Sequence, residues 1–111
     1  MGTMVFVNFP VADVQRSTAF YEKLGFKKNE EFSTEEASSM MWDDQFWIML
    51  LNHDFYGKFI QEKQIIDAQT TSGALISFSL ESAEALKQFG ETAKANGGNC
   101  YRVDMGIPEE Q

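Results

Sequence analysis

Few side chains in this chain can do acid–base, nucleophilic or metal chemistry near neutral pH. His53 is the single histidine, and so the one candidate general base in that range. It directly follows the apolar run Phe46 to Leu51 and Asn52, which puts it in the turn after a strand, where a solvated histidine is the simpler reading. Cys100 is the single cysteine, with no second thiol and no histidine near it in sequence. It reads as a small residue at the start of a strand. The carboxylates come as adjacent pairs, Glu30-Glu31, Glu35-Glu36, Asp43-Asp44 and Glu109-Glu110. Strand or turn geometry points neighbours apart, so these read as solvated surface, not as paired acid and base. There is no glycine-rich phosphate loop, no serine-nucleophile motif and no basic stripe. Any function must come from residues that the fold assembles.

The elements that would assemble them are well marked. Val5, Val7, Phe9 and Val11 make one apolar face of a strand with period two, and Met4, Phe6 and Asn8 make the other. Asp13 stands where a helix N-cap belongs. The helix after it puts Phe20, Tyr21 and Leu24 on one side and leaves Gln15, Arg16, Glu22 and Lys23 to water. Gly25 is placed to end it in the left-handed conformation, with Phe26 packing back on the last turn. Lys27 to Phe32 reads as a strand and Ser38 to Trp42 as another. A tight turn at Asp43-Asp44 then leads into the strand Phe46 to Leu51, an antiparallel hairpin by its short connection. Residues 53–72 form a long connection with scattered apolar positions, a stretch that should hold some helix or act as a lid.

The first strand and helix recur. A shift of 69 (Phe78 minus Phe9) lays Phe6 to Val11 on Leu75 to Leu80, Asn8 on Ser77 and Phe20 on Phe89. Ser82 is a good N-cap for a second helix with Leu86, Phe89 and Ala93 on its buried stripe. Asn96-Gly97-Gly98 ends that helix, and Asn99 to Val103 reads as a further strand. After that strand only a short tail remains, too little for a hairpin equivalent to the first module's. The expectation is a second module truncated relative to the natural product, since an uncovered edge strand is a liability.

With 111 residues and 43% hydrophobic content the chain makes one folded domain. That domain comprises a first module at about 3–52, a connection at 53–72 and a partial second module at about 73–111. A net charge of −8 disfavours nucleic acid and anionic membranes as partners. No apolar run is long enough to span a bilayer and no signal-peptide pattern opens the chain. One cysteine excludes an intrachain disulfide, which fits a reducing, cytoplasmic setting.

A β-α-β-β-β unit present twice, with Val11-Ala12-Asp13 after its first strand, Ser17-Thr18-Ala19-Phe20-Tyr21 in its helix and Leu24-Gly25-Phe26 at the helix end, resembles the vicinal oxygen chelate superfamily. Its members include glyoxalase I, bleomycin-resistance proteins, fosfomycin-resistance enzymes and extradiol dioxygenases. Within it, the Val5–Phe26 stretch and the strand ending in Asn52 look most like bacterial glyoxalase-family proteins called predicted lactoylglutathione lyases. The resemblance implies an α+β fold of two β-α-β-β-β modules curling into an incomplete barrel, helices outside, and a homodimer of two-fold symmetry. It also implies a metal held by side chains of the concave sheet face. Mapped here, those ligand positions fall on Phe6, Met49 and Leu75, none of which suits a hard or borderline divalent ion. No metal or other cofactor is therefore expected.

What remains is the concave face itself. Period-two reading assigns Phe6 and Asn8, Trp47, Met49 and Leu51, and Leu75 and Ser77 to it, with Trp42 and Tyr101 as candidates for the same space. Aromatic and thioether groups with a few small polar ones suit a small-molecule pocket, and equally suit a filled core between two sheets. The leading expectation is metal-free binding of a small, largely apolar ligand, with Phe6, Trp47, Met49 and Leu75 as walls. The alternatives are a metal-dependent lyase or isomerase of the glyoxalase I kind and a dimeric structural module. A ferredoxin-like fold shares the local patterns but needs neither the long hairpin nor the repeat.

Overall fold

The computed structural model describes residues 2–67, 69–74 and 76–97. The chain divides between Ser72 and Gly73 into two compact units. The first holds four strands, β1 (Val5–Val11), β2 (Lys27–Lys28), β3 (Ala37–Met41) and β4 (Phe46–Asn52), with helix α1 (Val14–Lys23) between β1 and β2 and the short helix α2 (His53–Gly57) after β4. The sheet order is β1-β4-β3-β2. β2, β3 and β4 form an antiparallel meander, and β1 lies parallel to β4 at the open edge. This is a β-α-β-β-β unit, α+β in class, with its sheet unclosed.

Both ends of α1 are closed as the sequence indicates. The Asp13 carboxylate accepts the Arg16 backbone N–H at 3.1 Å. At the other end Gly25 has φ +107°. Its N–H donates to the Glu22 carbonyl and that of Phe26 to the Tyr21 carbonyl, both at 3.1 Å, which is the paired bonding of a Schellman stop. The hydrophobic contact that goes with this stop is present too, since the Tyr21 and Phe26 rings meet edge-to-face at 5.4 Å. Phe26 then touches Trp42 and Phe46, which joins the helix end to the sheet.

The parity read from the sequence separates two layers. Ser38, Met40, Ile48 and Leu50 are all buried and alternate with residues of the other face along β3 and β4. Phe46 shares their side and meets Phe26, so this is the face beneath α1. Burial of Tyr21 here raises its pKa above 10.0, because the phenolate would lose its hydration.

Two elements differ from expectation. The strand anticipated over Lys27 to Phe32 is a two-residue β2 followed by a 3-10 turn at Glu30–Phe32. Asn29 decides this, because its side-chain oxygen accepts the Phe32 N–H at 3.2 Å and draws the backbone out of the ladder. In the second unit, helix α3 (Ala83–Ala95) forms with Ser82 as its N-cap, but 76–80 pairs with no strand among the described residues. Extended backbone becomes a strand only against a partner ladder. The apolar parity still packs locally, with Phe78 and Phe89 edge-to-face at 5.5 Å. The anticipated strand Asn99 to Val103 lies outside the described residues.

Candidate functional site

The sheet face away from α1 carries Phe6, Asn8, Trp47, Met49 and Leu51. Parallel pairing sets Phe6 beside Trp47, Asn8 beside Met49 and Pro10 beside Leu51. Antiparallel pairing adds Met41 beside Trp47, Ser39 beside Met49 and Ala37 beside Leu51. The Phe6 and Trp47 rings lie 5.4 Å apart, tilted by 49°. Trp47 is only 6% exposed, whereas Phe6 is 47% exposed. The indole N–H donates to the Asp44 carbonyl at 3.1 Å, so the one polar atom of Trp47 is satisfied within its own hairpin.

The 3-10 turn overhangs this face. Its Phe32 ring meets Trp47 edge-to-face at 6.2 Å while remaining 63% exposed. Its backbone is pinned, because Ser39 donates its hydroxyl to the Phe32 carbonyl at 2.6 Å and its N–H to the Ser33 hydroxyl at 3.0 Å. Ser33 in turn donates to the Asn29 carbonyl at 2.6 Å. A well-anchored backbone thus presents an exposed ring beside a buried indole.

Asn8 supplies the polar element. It is exposed, and its amide makes one long bond, 3.5 Å, to the Phe6 carbonyl. A bond that long holds the group weakly.

The remaining sequence candidates fall elsewhere. Trp42, expected to share this space, stands on the helix side against Phe26 with ring centroids 5.2 Å apart. One step along the chain from Met41 turns a side chain to the opposite face. Ser77 is exposed in the second unit, and Leu75 and Tyr101 lie outside the described residues. His53 is exposed as the first residue of α2, behind the N-cap Asn52. Phe32, Ser39 and Met41 join this face although the period-two reading of the sequence does not include them. Pairing the hairpin outward from Asp43-Asp44 would have revealed Ser39 and Met41, and Asn29 three residues before Phe32 is the capping signal for the turn.

Chemically, the face offers apolar contact with sparse hydrogen bonding. Among the described residues it holds no carboxylate, imidazole or thiol group. Of the three positions to which the resemblance would assign metal ligands, Phe6 and Met49 stand here, on neighbouring strands and one face. A phenyl ring and a thioether do not fit a hard or borderline divalent cation, and among the described residues no three His, Cys, Asp or Glu side chains gather to hold one. None of the helices described is long and apolar enough to cross a membrane.

Residues 3–40 match the family model of the bleomycin resistance protein-like N-terminal region. A hypothetical protein from S. aureus is similar in structure, with a TM-score of 0.67 and 23% identity over 87% of this chain and 71% of its own. A glyoxalase/bleomycin resistance protein/dioxygenase family enzyme from Burkholderia phytofirmans PsJN is similar with a TM-score of 0.61 and 21% identity, over 86% and 74% of the two chains. No curated protein matches the sequence.

Proposed function

We propose that this chain, which matches the bleomycin resistance protein-like N-terminal family model over residues 3–40 and shares its fold with a glyoxalase/bleomycin resistance protein/dioxygenase family enzyme, belongs to the vicinal oxygen chelate superfamily and binds a small, largely apolar ligand without a metal. The observation that carries this reading is the single face on which Phe6, Trp47 and Met49 lie beside the exposed amide of Asn8. Apolar walls with one or two polar handles are the composition of small-molecule sites. The mechanism is sequestration, with burial of the ligand's apolar surface as the driving force and no bond broken. The reading includes a homodimer acting in the cytoplasm.

The competing reading is a lyase of the lactoylglutathione lyase type. It needs a Lewis acid that polarises substrate oxygens, and the side chains at Phe6 and Met49 argue against it. One experiment separates the two. The purified protein is loaded with Ni²⁺, Zn²⁺ or Mn²⁺, desalted and analysed for metal, then titrated with apolar ligands while tryptophan fluorescence is followed. Binding predicts no stoichiometric metal and a ligand-dependent change that disappears in Trp47→Phe but persists in Trp42→Phe. One ion per chain together with lyase activity would establish the enzyme instead.

A further inference from the structure

Among the asparagines of the chain, only Asn96 is followed by glycine, and the structure places that pair at the end of α3. We infer that Asn96 is a deamidation site whose reaction is gated by the last turn of this helix. The chemistry is intramolecular. The Gly97 backbone nitrogen attacks the Asn96 side-chain carbonyl carbon, ammonia leaves and a succinimide ring closes. Water then opens the ring to aspartate or isoaspartate. Glycine favours the attack because no side chain shields its nitrogen.

In the folded chain the ring cannot close. Closure requires the Asn96 Cβ and the Gly97 nitrogen to be eclipsed about the Cα–C bond, and the Asn96 ψ of 20° holds them far apart. The nucleophile and the leaving group are both engaged. The Gly97 N–H donates to the Lys94 carbonyl at 3.3 Å, and the Asn96 side-chain amide donates to the Thr92 carbonyl at 2.8 Å. The Asn96 backbone N–H is shared between the Thr92 and Ala93 carbonyls, each at 3.2 Å, a three-centre arrangement common at helix ends. Gly97 sits at φ +90°, which closes the helix in the manner of a left-handed stop.

Both residues are exposed, so the barrier is the fraying of one helical turn. Helix termini open with far less free energy than a core element. Once formed, the product prevents easy return. A carboxylate at this position cannot donate to the Thr92 carbonyl, and its negative charge faces the negative end of the helix dipole. Isoaspartate also inserts an extra backbone carbon. The modification therefore loosens the turn that had restrained it.

The test follows deamidation at mildly alkaline pH by peptide-mapping mass spectrometry. Intact protein is compared with a synthetic peptide spanning residues 92–98. The expected result is conversion at Asn96 before any other asparagine, more slowly in the protein than in the peptide. Ala95→Gly should accelerate the protein's reaction about five-fold relative to the peptide carrying the same change, the factor that corresponds to a glycine's cost of about 1 kcal/mol in a helix. Circular dichroism of that variant checks that α3 is retained. Earlier conversion at another asparagine, or equal rates in protein and peptide, would overturn the inference. So would an Ala95→Gly variant that reacts no faster than the wild type once the peptides are taken into account.

Discussion

Single residues carry more of this fold than their exposure indicates. Gly25 holds a φ of +107°, and a Cβ there would meet the Trp42 ring at 3.5 Å, an ordinary contact. The penalty for Gly25→Ala is therefore conformational, not steric, and should be about 1–2 kcal/mol, read as a lower denaturant midpoint with an unchanged m-value. Tyr21 gives a pH signature. Its pKa is raised in the folded state by burial, so the unfolded chain releases this proton first as pH rises. Below 10.0 both states hold the proton and the contribution is constant. Above it the unfolded state binds fewer protons, and stability falls through the folded pKa. Urea midpoints measured on the alkaline side should decline less steeply in Tyr21→Phe than in the wild type. A parallel decline would place the cause in other groups.

At the scale of elements, the 3-10 turn and β3 are coupled through Ser39. This serine is fully buried and joins β3 to the Phe32 carbonyl and the Ser33 hydroxyl. Ser39→Ala removes the hydroxyl donor and should cost about 1 kcal/mol. Because Phe32 rests on Trp47, the same change should weaken any ligand-dependent change in Trp47 fluorescence. A variant with normal ligand response and reduced stability would make Ser39 purely structural. The first strand and helix of this module were legible from the chain because their signals are local. Asp13, Gly25 and the alternation from Val5 to Val11 act over one or two turns. Lys27 to Phe32 has strand-like composition, yet a single side-chain bond from Asn29 settles its last part as a 3-10 turn. The segment 76–80 has the right alternation but finds no partner among the described residues, and alternation alone does not make a ladder.

For the molecule as a whole, the acidic balance and the open β1 edge set the expectations. A net charge of −8 opposes phosphate backbones, so no duplex DNA binding should be seen at physiological salt; a gel-shift assay checks this. Met4, Val5 and Phe6 are all more than 40% exposed along the open edge, and exposed edge strands are commonly covered in the native assembly. The homodimer proposed above should appear in light scattering as twice the 12.6 kDa of one chain. A monomer at every concentration tested would remove the dimer from the functional reading.

By itself the sequence determined what depends on near neighbours in the chain. The capped helices, the hairpin and the separation of the sheet into an α1 face and an opposite face all follow from period, caps and turn residues. It also determined that the three positions to which the resemblance assigns metal ligands, Phe6, Met49 and Leu75, hold a phenyl ring, a thioether and an aliphatic chain, since residue identity needs no folding. The tertiary structure decided what depends on distant residues meeting. It placed β1 parallel to β4, so that Phe6 met Trp47. It brought Phe32 over the same indole and turned Trp42 to the other layer against Phe26. Strand partners and overhanging turns are chosen by packing across tens of residues, and no local pattern encodes them.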